Sequence, residues 1–211
     1  MKTIHLLYVA AALVLTGCAG SASSPSLFVL DTTHASSASP SKPAARAQLV
    51  VAPVQIARML DESGIVYQTG AHRVVIANHN RWAAPLGGQL RDSLIATLDG
   101  ALTDIQIVRA VEPGTTPAFV LQTRVDQFMG HYDGHARITG EWQLDDPEGQ
   151  TLLRQRFTRE VPLADDGYEA LVESLSAGWR ATALAIAPAV QHTALSPQAN
   201  SERDTKPGFT Q

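Results

Sequence analysis

Two periodicities divide this chain. From His135 to Leu144 the pattern is strictly alternating, with Ala136, Ile138, Gly140, Trp142 and Leu144 on one side and His135, Arg137, Thr139, Glu141 and Gln143 on the other. A period of two predicts a strand with one packed face and one face open to water or a partner. AFVLQTRVDQFM before it and TLLRQRFTREV after it, set off by the turn signals DGH and DPEG, predict antiparallel neighbours. Elsewhere the spacing lengthens. Leu86, Leu90, Leu94, Leu98 and Leu102 fall four apart with Ile95 beside them, which predicts a helix with a leucine stripe. Tyr168, Leu171, Val172, Leu175 and Trp179 predict a second helix. Asp165 and Asp166 suit its positive end and Pro188 suits its stop.

Shorter apolar runs complete the pattern. LVVAPV reads as a buried strand, IQIV as another, and SLFVLDTT as a first strand. GIVYQTGAHRVVIA holds two β-branched runs separated by TGAH, which predicts a hairpin with glycine in the turn. Many strands and only two helices predict an α+β layer in a single domain: a mostly antiparallel sheet with two main helices packed on one face. The domain is expected over residues 27–190, with a flexible loop at about 32–47, where Ser, Ala and Pro crowd together. Residues 191–211 have little to bury and are expected to form a disordered tail.

NHNRWAAPL, residues 78–86, joins the predicted hairpin to the leucine-striped helix. Asn78 or Asn80 is expected to turn the chain and cap the helix, with Pro85 at the edge of the first turn. Trp82 is then either a lid on the core or an aromatic anchor for a partner. Arg81 and Tyr132 are the other candidate partner-binding residues, because aromatic and arginine side chains dominate interface hot spots.

The start of the chain carries its sharpest local signal. Lys2, an apolar run from Ile4 to Leu15 and then Leu15-Thr16-Gly17-Cys18 describe a secretory signal over residues 1–17. The run is shorter than the roughly 20 residues that a spanning helix needs. Leu-Thr-Gly-Cys resembles a bacterial lipobox, which makes Cys18 the lipidation site and residues 18–26 a tether. A lipobox cysteine normally carries three acyl chains, and each buried methylene contributes about 0.8 kcal/mol, so the mature chain is expected to stay on its membrane. Ala19, in place of a retention aspartate, favours the periplasmic face of the outer membrane. Cys18 is the sole cysteine, so an intrachain disulfide is impossible.

Composition then narrows the chemistry. The chain has 16 Lys and Arg against 20 Asp and Glu, with no basic tract, so nucleic-acid binding lacks its electrostatic footprint. His131, Asp133 and His135 lie close together, yet Asp-Gly between two strands marks a turn more readily than a metal site. The chain has no G-x-S-x-G nucleophile elbow, and the LGGQL glycines lie inside a helical pattern without the flanks of a phosphate cradle. Neither catalytic residues, a metal nor a cofactor is expected, and the chain does not read as an enzyme.

Three blocks, GIVYQTGAHRVVIANHNRWAAPLGGQLRDSLIATL, VDQFMGHYDGHARITGEW and DDGYEALVESLSAGW, together resemble the ABC-type transport auxiliary lipoprotein family over about Leu49 to Ile186. The resemblance implies an accessory role: docking the periplasmic conduit of an MCE transport system to the outer membrane for intermembrane lipid transport and envelope integrity. The implied partners are an MCE-domain protein resembling PqiB and, indirectly, an inner-membrane protein resembling PqiA. A homo-oligomeric ring would match the symmetry of such a conduit. The alternative function is a lipoprotein that assists assembly of another outer-membrane complex.

Overall fold

A computed structural model of the chain describes residues 24–31, 45–108 and 118–196. The signal segment, Cys18, most of the tether, the core of the Ser/Ala/Pro loop and the tail beyond residue 196 lie outside the described residues.

In chain order the strands are β1 (Ser26–Phe28), β2 (Ala47–Val51), β3 (Gln55–Ile56), β4 (Gly64–Gly70) and β5 (Arg73–Trp82). Helix α1 (Leu86–Ala101) follows, then β6 (Ile105–Val108), β7 (Ala118–His131), β8 (His135–Asp145), β9 (Thr151–Pro162) and helix α2 (Tyr168–Leu195). A short 3-10 turn occupies Arg58–Leu60. The long strand β7 organises the sheet. On one side it pairs antiparallel with β8, which pairs with β9. On the other side it meets three strands in succession: β2 opposite Ala118–Leu121, β3 opposite Arg124–Val125 and β4 at Gly130. β2 then carries β6, while β4 carries β5 and, beyond it, β1.

The expectation of a mostly antiparallel sheet is corrected here: the sheet is mixed. β1–β5, β2–β6, β2–β7, β3–β7 and β4–β7 run parallel, and only β4–β5, β7–β8 and β8–β9 run antiparallel. The antiparallel pairs are the ones joined by short turns. The parallel ones are brought together by connections that pass through other elements, and side-chain alternation carries no strand direction.

Both helices cover one face of the sheet and touch each other, with the Trp179 indole N–H donating to the Leu90 carbonyl at 3.0 Å. Leu90, Leu94 and Leu98 of α1 are fully buried, each contributing about 1.5–3 kcal/mol of hydrophobic stabilisation. Against them lie Leu121, Val125, Phe128, Ile138 and Leu144 from the sheet, with Leu175, Trp179 and Ile186 from α2. Two glycines permit the closest approaches: a Cβ on Gly140 would lie 2.1 Å from the Arg124 carbonyl oxygen, and one on Gly178 2.6 Å from Ile138. The opposite face of β7–β9 bears Arg124, Glu141, Gln143, Arg154 and Arg156, which is the open polar face that the alternation predicted.

Pro188 does not end α2, which runs on to Leu195 and so reaches five residues into the segment expected as tail. Ala187, Val190 and Ala194 continue its buried stripe, and that packing carries the helix past a residue that cannot donate to the ladder. Among the described residues no helix is long and apolar enough to cross a membrane.

Candidate docking surface

The stretch NHNRWAAPL begins inside β5 instead of in a helix-capping turn. Val66 pairs with Ile76 but Gly64 pairs with Arg81, so β5 advances five residues while β4 advances two. The extra residues, around Asn78-His79-Asn80, form a bulge. Asn78 and Asn80 therefore turn the strand and do not cap α1, whose N-cap is Pro85 without a side-chain hydrogen bond. The Pro85 carbonyl accepts from the Gly88 and Gln89 amides. Arg81 is exposed and closes the bulge, its Nε–H donating to the Asn78 carbonyl at 2.8 Å. Gly64 sits in the concavity of the bulge, where a Cβ would lie 2.2 Å from the Ala77 carbonyl oxygen.

Trp82 points the other way. It is 6% exposed, with its ring 6.1 Å from that of Phe128. Of the two expected placements the side chain takes the lid on the core, and its aromatic surface is covered there. Of the three candidate partner residues, Arg81 and Tyr132 remain on the surface, and the fold separates them. Arg81 pairs with Gly64 near the start of β4, whereas Tyr132 follows Gly130, which pairs with Tyr67 farther along β4.

Tyr132 occupies the tip of the β7–β8 hairpin, 52% exposed, with its ring 4.1 Å from that of buried His131. Asp133-Gly134 makes the turn, with Gly134 at φ 83°, a left-handed conformation that glycine adopts without strain. Charge clamps this tip. The Asp133 carboxylate lies 2.8 Å from His131 Nδ1, 3.2 Å from His135 Nδ1 and 3.4 Å from Arg137 Nη2, and Arg137 Nε reaches Glu160 at 3.1 Å. His131 Nδ1 stands at ion-pair distance from this carboxylate and has no other hydrogen-bond partner. Desolvation pushes the Asp133 carboxyl up. The contact and charge of His131, together with hydrogen bonds from His135, outweigh it and hold the group below its ordinary value. The arrangement makes a stiff turn presenting an aromatic ring. Among the described residues no group of three His, Cys, Asp or Glu side chains has metal-binding geometry.

The β4–β5 turn, the β7–β8 turn and the Leu163–Gly167 connection all gather at this end of the sheet. Between them lies an open pocket of about 500 Å³, lined by Tyr67, Gly134, Leu163, Asp165, Tyr168 and Leu171. Beside it project Val74, Val75 and Ile76 of β5, at 46%, 44% and 42% exposure, a surface that reading the sequence missed. The available signal was three β-branched residues in a row with no polar alternation.

The class of protein follows from the family that shares this α+β scaffold. The chain belongs to the ABC-type transport auxiliary lipoprotein family, whose model matches residues 28–187. It is 34% identical over 181 residues to the intermembrane transport lipoprotein PqiC of Escherichia coli (strain K12), covering 86% of this chain and 94% of that protein. PqiC of Shigella flexneri matches at the same identity and coverage. A solved structure described as an uncharacterized protein is similar at 33% identity and TM-score 0.67, over 79% of this chain and 99% of that one. A Xanthomonas campestris protein of 19% identity shares the fold, with TM-score 0.63 over 85% of this chain and 97% of its own.

Proposed function

We propose that this chain is a lipid-anchored accessory component of a PqiABC-like intermembrane transport system, held on the periplasmic face of the outer membrane through Cys18. The likeness to PqiC, spanning 94% of that protein, carries this reading. The job is to dock the outer-membrane end of an MCE conduit, formed by a protein resembling PqiB that works with one resembling PqiA, so that phospholipid or other hydrophobic cargo crosses the periplasm. Copies of the chain closing into a ring suit a symmetric conduit. Arg81 and Tyr132 are the partner contacts in this reading, and Trp82 supports them from the core. The eight residue-to-residue steps from Cys18 to Ser26 extend at most about 29 Å, so the anchor keeps the domain against the bilayer surface. The function needs neither a catalytic residue nor a cofactor.

Gentle detergent purification of the tagged, lipidated chain from its own cells tests this. Co-purification of an MCE-domain protein is the expected result. Recovery of a barrel-assembly or exporter component instead would overturn the reading and favour an assembly lipoprotein. Cys18→Ala is expected to move the folded chain into the salt-washed soluble fraction, and its retention on membranes would remove lipidation as the main attachment.

A further inference from the structure

Two of the outer edges of the sheet, β9 and β5, are treated differently. The β9 edge carries Arg154, Arg156, Arg159, Glu160 and Pro162, the charges and proline that keep an edge strand from recruiting another chain. The β5 edge has no such guard over its first part. β1 covers only Asn80–Trp82, so among the described residues no strand pairs with the outer side of Arg73–His79. On that open stretch Val74, Val75 and Ile76 are exposed together, and successive strand residues point to opposite faces. Both faces of the edge are therefore apolar and wet.

Charge is also unusual here. From Gly64 to Leu90 there is neither Asp nor Glu, while Arg73 and Arg81 are exposed and His72 and His79 stand beside them, in a chain of net charge −4. The geometry points to a β-augmentation site: the Arg73–His79 edge accepts an extended segment of another protein. That segment carries apolar residues opposite Val74–Ile76 and carboxylates near its ends, facing Arg73 and Arg81. Two other occupants fit less well. Inserting this edge into a bilayer would place its unpaired backbone groups where nothing satisfies them. Pairing it with a second copy would bring two acid-free, arginine-bearing strands together, and like charges across a ladder repel. The inference shares Arg81 with the transport reading and goes beyond it, since it names the chemistry of the bound segment whichever protein supplies it.

The test places a photo-crosslinking phenylalanine analogue at Val75 of the full-length, lipidated chain in its own cells, with the same label at exposed Leu152 on β9 as the comparison. Mass spectrometry then reads the crosslinked peptide. The expected adduct at Val75 is a peptide of a different protein that contains Asp or Glu beside apolar residues, with no such adduct at Leu152. Arg73→Glu with Arg81→Glu should lower the yield about tenfold, as two reversed surface ion pairs would. A cooperative melt, lowered by no more than the few degrees that loss of the Arg81–Asn78 hydrogen bond costs, shows that the double variant still folds. The synthetic peptide of the captured sequence, added to the purified chain, should slow hydrogen exchange at the amides of Arg73–His79. An adduct to phospholipid, an adduct to a second copy, a captured peptide without carboxylates, unchanged yield in the double variant or no adduct would each overturn the inference.

Discussion

Truncating Trp82 separates packing from partner contact in one experiment. The indole is 6% exposed and lies 6.1 Å from Phe128 at 46°. Phe128 in turn meets Trp179 edge-on at 6.4 Å, and Trp179 meets Phe157 at 6.1 Å. Trp82→Ala removes the outermost ring of that series and leaves Phe128 facing a void beneath the β5–α1 connection. A buried Trp→Ala change costs about 3–5 kcal/mol, a large share of the roughly 5–15 kcal/mol that holds a domain together. At about 2–4 °C per kcal/mol for a chain of this size, the melting temperature should fall by about 6–20 °C. The neighbouring Arg81→Ala is the internal control. It loses one exposed hydrogen bond to the Asn78 carbonyl, a cost of about 0.5–1.5 kcal/mol. Both variants can be followed by far-ultraviolet circular dichroism in heat and urea, on the full chain in detergent. A Trp82→Ala melt within about 2 °C of the parent would refute the placement of the ring in the core.

Three further outcomes follow from particular contacts. Gly140→Ala should cost about 1–3 kcal/mol of unfolding free energy and so lower the urea midpoint, because its methyl would lie 2.1 Å from the Arg124 carbonyl oxygen and 2.6 Å from Phe157; an unchanged midpoint would mean that β7 and β8 are not this close. Asp133, held below its ordinary pKa in the folded chain, should favour folding at pH above the usual carboxylate range and lose that contribution as pH falls through its folded value. A carboxyl NMR titration placing Asp133 at or above the usual value would contradict the clamp. Pro188→Ala should raise the melting temperature, by up to the roughly 3 kcal/mol that an interior proline costs a helix, since the residue is exposed and its loss opens no cavity; a fall would show that the ring packs.

The elements legible in the sequence were those whose side chains declare a period over many residues. β8 alternates from His135 to Leu144, and the α1 leucines recur every four, because a face buried for three or more turns admits few substitutes. Strand direction was not legible. β2 and β6 are short apolar runs, and nothing in Ala47–Val51 points to the parallel partner that the chain supplies far downstream, where Ala47 pairs with Ile105. Pro188 misled for a related reason: the stop signal is local, whereas the buried stripe of Ala187, Val190 and Ala194 that overrides it belongs to tertiary packing.

NHNRWAAPL contains both situations within nine residues. Its asparagines do turn the chain, but inside a strand, and Gly64 in β4 is the residue that makes room for the bulge. The bulge has a consequence for the surface. By adding residues to β5 it shifts the strand's register between Ile76 and Arg81, so β1 pairs only beyond it, at Asn80–Trp82. Among the described residues, no strand covers the outer side of Val74–Ile76. A substitution at Gly64 would therefore do more than destabilise the sheet. It would press on Ile76 and the Ala77 carbonyl and so displace the amides that a partner strand on Arg73–His79 would pair with, while Tyr132 and the charge clamp at the neighbouring hairpin stayed in place.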